Sequence, residues 1–263
     1  MVAMPDALYL PTGEPDTFDA TELTGGPWAP GIQHGGPPSA LLARAAERVD
    51  STIAGPAQVA RITLDILGPM PVGRVRTSAR VVRPGRSVEL VDAELLAGDR
   101  PVMRARAWRI RLGSFALSSL GSSSFVDDSP DAFAASAAPW PGGFLTAVEW
   151  RFVDGQFEKP GPATVWSRLR VPVVAGEAPT GLQRAAAVAD CGNGLSSLLD
   201  PERWWFINTE LTVHVARQPT GEWIRVAAHC LLDGGGAGLA ETELADRAGR
   251  FGRGAQALMV GPR

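Results

Sequence analysis

One acidic residue stands in a segment that is otherwise small and apolar. The segment RAAAVADCGNG, residues 184–194, carries Asp190 after a run of alanines, and glycines follow it. A carboxylate in such a place either lies on the solvent face of a helix or is partly desolvated by close packing. Desolvation makes a carboxylate a stronger base near neutral pH, and glycines let another backbone approach closely. Asp190 is therefore a candidate general base.

Two side-chain amides in the same half of the chain could hold a water molecule. Gln256 lies in the segment RGAQALMV, where a period of two places it with Leu258 and Val260 on the expected inner face of a strand. A buried glutamine needs hydrogen-bond partners, which are either backbone groups or a water molecule. Asn208, in FINTELTV, alternates with the polar residues two, four and six places further on, so its face is either solvated or part of a polar site.

The segment HGGPPSALLARAA offers donors that could complement a negative charge. His34, Gly35 and Gly36 come directly before a predicted helix, and the prolines that follow suit a first helical turn. The tripeptide could serve only as a turn that caps the helix. Free N–H groups at the start of a helix also favour negative charge, and can hold an oxygen atom that becomes an oxyanion.

Cys191 directly follows the candidate base and could be a nucleophile. The histidines are His34, His214 and His229, and no sequence motif pairs any of them with this cysteine. A small buried cysteine is the simpler interpretation. Cys191 and Cys230 do not form a disulfide framework, and no Cys/His spacing predicts a metal site.

The composition excludes several classes of protein. The chain has 263 residues, 45% of them hydrophobic, and a net charge of −3, which provides no attraction for nucleic acid or an anionic membrane. No apolar run approaches the roughly 18 residues of a membrane-spanning helix. The N-terminus lacks a basic region followed by an apolar core, so no secretory signal is predicted, and a reducing cytoplasm is the expected compartment.

A low-complexity segment divides the chain into halves of similar size. Residues 118–143 are rich in Ser, Ala, Pro and Gly, which predicts a linker or a loosely packed crossover between an N-terminal domain, 1–117, and a C-terminal domain, 144–263. Each half predicts one helix followed by alternating, half-buried antiparallel strands. The first predicted helix begins at His34, and the second covers residues 182–199. The predicted strands are 58–67, 74–85, 86–98 and 100–112, then 205–215, 222–234, 238–249 and 251–260.

The halves also align by residue. Residues 97–108 align with residues 248–258 with one gap, and Arg106 is aligned with Gln256. A repeat of this length indicates duplication of a whole domain. Because arginine cannot accept a hydrogen bond from water, the alignment predicts one competent site in each chain.

One helix enclosed by a curved antiparallel sheet is the hotdog fold. Two tandem copies, with HGG and ALL in the first helix and an acid in the second, resemble the acyl-CoA thioesterase II (TesB-like) family. The resemblance implies an α+β tandem, or double, hotdog with two long helices, each wrapped by a curved antiparallel β-sheet, so that residues 1–117 form the N-terminal hotdog and residues 144–263 the C-terminal one. It also implies an acyl-CoA substrate, no metal or other cofactor, and association into a homo-oligomer.

In that family an Asp, a Thr or other small polar residue, and a Gln hold the water that attacks a thioester. The resemblance implies that Asp190, Asn208 and Gln256 are catalytic, with Thr209 beside the middle position. Asn in place of Thr is a departure from the family pattern. The oxyanion and substrate contacts would then come from His34, Gly35, Gly36 and Thr209.

Two alternatives on the same fold remain open. A hydratase or dehydratase would use an Asp/His pair, and no histidine lies near Asp190 in the sequence. A protein that binds acyl chains without turnover is the other alternative, because Asn208 departs from the family pattern.

Overall fold

The computed structural model describes residues 5–115 and 128–263. Within these ranges one antiparallel sheet of thirteen strands encloses the helices. No helix in the described ranges is both long and apolar enough to cross a bilayer. The α-helices are α1 (Gly36–Arg48), α2 (Gly181–Ala189) and α3 (Gly192–Leu195). The strands are β1 (Tyr9–Pro11), β2 (Thr17–Ala20), β3 (Ala57–Ile66), β4 (Arg74–Arg83), β5 (Val88–Ala97), β6 (Arg100–Arg111), β7 (Val148–Asp154), β8 (Ala163–Leu169), β9 (Trp204–Asn208), β10 (Glu210–Val215), β11 (Ile224–Leu232), β12 (Ala237–Asp246) and β13 (Gly249–Pro262).

The strand order shows two copies of one plan joined edge to edge. The order is β1-β2-β4-β5-β6-β3 in the first half and β10-β13-β12-β11-β8-β7 in the second, and β9 pairs with β13. The halves meet where β3 pairs with β10, with Thr63 opposite Thr212. Thr63 also pairs with Arg106, and Thr212 pairs with Ala255. The predicted tandem hotdog with one continuous sheet is therefore confirmed.

This register corrects the residue alignment of the halves. Because Arg106 and Ala255 occupy equivalent positions, the counterpart of Gln256 is Ala107 and not Arg106. Ala107 and Gln256 are both buried, whereas Arg106 is on the outer face and pairs with Asp92 at 2.7 Å. A shift of one residue moves a strand side chain to the opposite face. The predicted contrast between an arginine and a glutamine in one position is therefore wrong.

The helix predicted over residues 182–199 is interrupted. α2 ends at Ala189, Asp190 and Cys191 form a turn, and the short α3 ends at Leu195. Glycine is a poor helix former, and the segment has glycines at both ends of α3. By contrast, α1 is continuous for 13 residues and begins two residues after His34. The interruption sets Asp190 at the end of a helix rather than on its side.

The strand predicted over residues 205–215 is divided by a bulge. Asn208 pairs with Leu258 and Thr212 with Ala255, so four steps on one strand match three on the other. The extra residue turns Asn208 inward, although the residues that follow at even spacing face outward. The prediction that Asn208 shares a face with Glu210, Thr212 and His214 is therefore wrong.

Strands that were not predicted extend both edges of the sheet. β1 and β2 lie beyond β4 at one edge, and β8 and β7 lie beyond β11 at the other. The first part of the predicted linker, residues 118–127, lies outside the described residues. In the described part, Asp128 bonds to Trp166 of β8 and Arg225 of β11. The domain bounds at residues 117 and 144 stay a prediction.

Candidate active site

The candidate site is centred on the Asp190 carboxylate. Asp190 is only 3% exposed and lies at the C-terminal end of α2. Asn208 donates a hydrogen bond from Nδ2 to Asp190 Oδ1 at 2.8 Å. His34 Nδ1 lies 3.0 Å from Asp190 Oδ2. The structure thus brings together three residues that the sequence predicted, one from the first half and two from the second.

Glycines let the carboxylate approach the start of α1. A Cβ atom on Gly35 would lie 2.7 and 2.8 Å from the two Asp190 carboxylate oxygens, which leaves no room for a side chain. A Cβ on Gly36 would collide with the Ala187 carbonyl oxygen of α2. Since α1 begins here, its dipole favours a negative charge at the position of Asp190.

His34 contacts both residues of the turn that follows α2. Its Nε2 lies 4.0 Å from Cys191 Sγ, and its ring packs against Phe144 with centroids 5.1 Å apart. A histidine therefore does lie beside the cysteine, which no sequence motif indicated. Burial acts to lower the pKa of His34, but Cys191 and Asp190 outweigh burial and raise that pKa. Burial also raises the pKa of the Cys191 thiol.

Gln256 supports the turn that carries Asp190. As the alternation predicts, Gln256 and Leu258 are buried on the inner face of β13. Gln256 Nε2 donates to the backbone oxygen of Asp190 at 3.1 Å, and Oε1 accepts from the N–H of Asn193 at 3.1 Å. These bonds replace helical ones where the helix is interrupted. They lead to the backbone of Asp190, so the predicted contact between Gln256 and the attacking water stays a prediction.

Thr209 does not reach the site. Thr209 is the exposed residue of the bulge, and its hydroxyl donates to the Ala257 carbonyl at 3.3 Å. The bulge that turns Asn208 inward leaves Thr209 on the outer face of the sheet, so its predicted contact with the substrate stays a prediction. Sequence reasoning missed Asn193, which is 4% exposed and bonds to Gln256. Its position between two glycines, three residues after the candidate base, was the available signal.

Among the described residues, no group of three or more His, Cys, Asp or Glu side chains is arranged to hold a metal ion. The polar groups around Asp190 are instead an imidazole, two amides and the start of a helix. Such an arrangement can hold a carboxylate in one orientation and supply N–H donors beside it. This suits general base chemistry next to a developing negative charge.

Solved structures share this fold over nearly the whole chain. A proposed thioesterase II from Thermobifida fusca has a TM-score of 0.75 at 19% identity and covers 96% of this chain and 95% of that chain. A hot-dog-fold protein from Alicyclobacillus acidocaldarius has a TM-score of 0.73 at 17% identity, with 93% and 92% covered. The acyl-CoA thioesterase II TesB2 of Mycobacterium marinum has a TM-score of 0.64 at 15% identity, with 95% and 93% covered. These identities show the fold, and the chain is a tandem hotdog protein.

Family models identify both halves. Residues 24–110 match the acyl-CoA thioesterase N-terminal domain, and residues 126–260 match the acyl-CoA thioesterase C-terminal domain. The chain therefore belongs to the acyl-CoA thioesterase family, and it is a thioester hydrolase. No curated protein matches it at a significant level.

Proposed function

We propose that this protein hydrolyses acyl-CoA to a free acid and coenzyme A, with Asp190 as the general base. The observation that supports this role is the position of the Asp190 carboxylate. It is buried against the start of α1 and held at one oxygen by Asn208 and at the other by His34. A carboxylate fixed in this way keeps its lone pairs in a set direction.

In the proposed reaction, Asp190 takes a proton from a water molecule and the water oxygen attacks the thioester carbonyl carbon. The carbonyl oxygen becomes an oxyanion, which the N–H groups of Gly35 and Gly36 stabilise at the start of α1. The intermediate then collapses, the C–S bond breaks, and the departing thiolate takes the proton from Asp190. The acid and coenzyme A are the products, and Asp190 is again a carboxylate.

The amides have separate tasks in this proposal. Asn208 orients the base through its hydrogen bond to Oδ1. Gln256 uses one Nε2 proton on the Asp190 carbonyl, and an amide has two such protons, so the second can hold the attacking water. Water, side chains and backbone N–H groups perform every step, and the proposal includes no metal or other cofactor.

We propose one site in each chain, built from both halves. The first half supplies His34, Gly35 and Gly36, and the second half supplies Asp190, Asn208 and Gln256. Titration with a non-hydrolysable acyl-CoA should saturate at one equivalent per chain. Two equal binding events per chain would contradict the proposal.

A thiol-release assay on a panel of acyl-CoAs tests the activity. We expect turnover of at least one chain length and loss of turnover in the Asp190→Asn variant. Saturable binding without thiol release across the panel would favour the non-catalytic alternative. The panel also defines the preferred acyl group.

A hydratase is the second candidate because His34 lies 3.0 Å from Asp190 in space. The sequence separation between these residues therefore does not exclude an Asp/His pair. The same protein should be incubated with an enoyl-CoA. Loss of the conjugated double bond without release of thiol would favour hydration, and thiol release alone would favour hydrolysis.

A further inference from the structure

His34 Nδ1 lies equally close to a hydrogen-bond donor and to a hydrogen-bond acceptor. The N–H of Gly36 points to Nδ1 at 3.0 Å and needs a lone pair there. Asp190 Oδ2 lies at 3.0 Å from the same nitrogen and needs a proton there. One ring nitrogen carries either a proton or a lone pair in the ring plane, so it can satisfy only one of these groups at a time.

The hydrogen bond from this nitrogen to the Asp190 carboxylate is the more favourable of the two. Asp190 is 3% exposed, and a lone pair facing its carboxylate would leave a buried negative charge without a donor on one side. A hydrogen bond to a charged acceptor is also stronger than one between neutral groups. The loss of one neutral bond at the Gly36 N–H costs less than the loss of a donor to the buried charge.

The other ring nitrogen is compatible with this choice. Nε2 faces Cys191 Sγ at 4.0 Å, and a thiol can act as a weak donor or a weak acceptor. The thiol therefore suits a neutral imidazole with its proton on Nδ1 as well as a fully protonated imidazolium. Nδ1 carries a proton in both cases.

We infer that His34 donates its Nδ1 proton to Asp190 and thereby leaves the Gly36 N–H without an acceptor among the described residues. Under the proposed function, the Gly36 N–H then keeps its hydrogen-bonding capacity for the thioester oxygen. A single proton on His34 thus orients the base and frees an oxyanion donor. His34 is a positioning residue in this scheme, since it acts through Asp190 and Gly36.

Nitrogen-15 NMR of histidine-labelled protein tests the proton position directly. The His34 signal is assigned by comparison with the His34→Asn variant, which leaves His214 and His229 in place. We expect a protonated Nδ1 near neutral pH. In the Asp190→Asn variant, the His34 signals should move because the charged acceptor is gone. A His34 ring with its only proton on Nε2 would overturn the inference.

Variants at His34 test the consequence for turnover. Asparagine can offer an N–H to Asp190, and phenylalanine keeps ring packing on Phe144 without a polar group. An ionised aspartate can only accept a hydrogen bond, from the Gly36 N–H, and offers no donor to Asp190. We expect kcat to fall least in His34→Asn, more in His34→Phe, and most in His34→Asp. The last variant should lose about 10²–10³-fold or more, the usual effect of losing one oxyanion donor. An aspartate variant as active as the asparagine variant would overturn the inference.

The two readouts separate this inference from the proposed function. The NMR experiment reports the resting protein and needs no turnover, so it also decides the matter if a variant fails to fold. If Asp190→Asn keeps full activity while Nδ1 is protonated, the proposed base is wrong and the inferred proton position stands. If Asp190→Asn is inactive while Nδ1 is unprotonated, the proposed base stands and the inference is wrong.

Discussion

The two helices of the core are antiparallel, so the start of each helix meets an acid carried by the other. At one end, Asp190 after α2 lies against Gly35 at the start of α1. At the other end, Glu47 of α1 accepts hydrogen bonds from Thr180 at 2.8 Å and from Gln183 at 3.0 Å at the start of α2. Duplication has thus placed a carboxylate beside a helix start twice in one molecule.

The strand residues beside Asp190 differ from those at the equivalent positions near Glu47. Asp190 is buried and receives Asn208 from β9, while Gln256 of β13 holds its backbone. Asn208 pairs with Leu258 just as Val59 pairs with Arg109, which makes Val59 its counterpart in the first half. The counterparts of the two amides, Val59 and Ala107, are both apolar and buried. No strand amide in equivalent positions is therefore available to the half-buried Glu47.

This comparison teaches that an acid at a helix start is not by itself a site. Both acids are touched by donors from the opposite half, so capping alone would explain either of them. Only at Asp190 do inward-facing amides from the strands contact the acid residue, and only there does a glycine leave room for the carboxylate. Variants that affect one end and not the other should therefore separate catalysis from helix capping.

The largest difference is expected when each acid is replaced by its amide. Asp190→Asn removes the basic lone pair with little change of shape, and kcat should fall about 10²–10⁴-fold, the usual contribution of a positioned general base. Glu47→Gln is the matched control and should keep kcat close to that of the wild type. Thiol release under saturating substrate measures both. Equal losses in the two variants would contradict the assignment of one site to the Asp190 end.

A second large effect is expected from Gly35→Ala. The new Cβ would lie 2.7 Å from Asp190 Oδ2, so the carboxylate must move. A displacement of about 1 Å can lower turnover about 100-fold, and we expect a loss of this order in kcat. Gly194→Ala is the control in the nearby turn, because its added Cβ would meet no atom within 4 Å. Full activity of Gly35→Ala would show that the position of the carboxylate is not critical.

A smaller effect, seen first in stability, is expected from Gln256→Ala. The variant leaves the Asp190 carbonyl and the Asn193 N–H without their buried partners, which should cost about 1–3 kcal/mol in the free energy of unfolding. Arg106→Ala removes an exposed ion pair with Asp92 and should cost less than about 1 kcal/mol. Urea unfolding of both variants makes the comparison. A greater loss in the arginine variant would contradict the corrected alignment of the halves.

The sequence predicted one helix and the central strands in each half and pointed to candidate site residues, because periodicity and small residues leave a direct signal. Asp190 and Gln256 were found in this way. The inward turn of Asn208 was not, because a bulge adds one residue without a distinctive motif and reverses the face of every residue before it. The false match of Arg106 to Gln256 has a similar origin, since a gap placed one residue away in a hairpin shifts the alignment by one.

The contact between His34 and the turn at Asp190 and Cys191 could not be predicted from spacing. These residues are far apart in the chain, and they meet only because α1 and α2 pack against each other. The same packing brings Glu47 to Thr180. A search for local motifs finds neither pair, whereas the glycines of HGG give a partial signal of close approach.

The smallest expected effect concerns the pH dependence of stability at the Glu47 end. Burial raises the pKa of Glu47, although the bonds from Gln183 and Thr180 act against it. The folded protein therefore binds this proton more tightly than the unfolded chain does. The contribution of Glu47 to stability should fall as pH rises from the unfolded carboxyl pKa through the raised folded value. Glu47→Gln removes this titration, so its stability relative to the wild type should improve between pH 4 and pH 7.

Glu177→Gln is the control of opposite sign for that experiment. Hydrogen bonds from Arg44 hold the pKa of Glu177 below its usual value, so the folded state favours the charged form. Its contribution to stability is present above the unfolded pKa and is lost as pH falls. The Glu177→Gln variant should therefore become less stable relative to the wild type between pH 4 and pH 7, as measured by urea unfolding at both values. If the relative stabilities of the two variants change in the same direction with pH, burial does not determine the pKa of Glu47. Charge pairing would then stabilise this end of the helix pair instead.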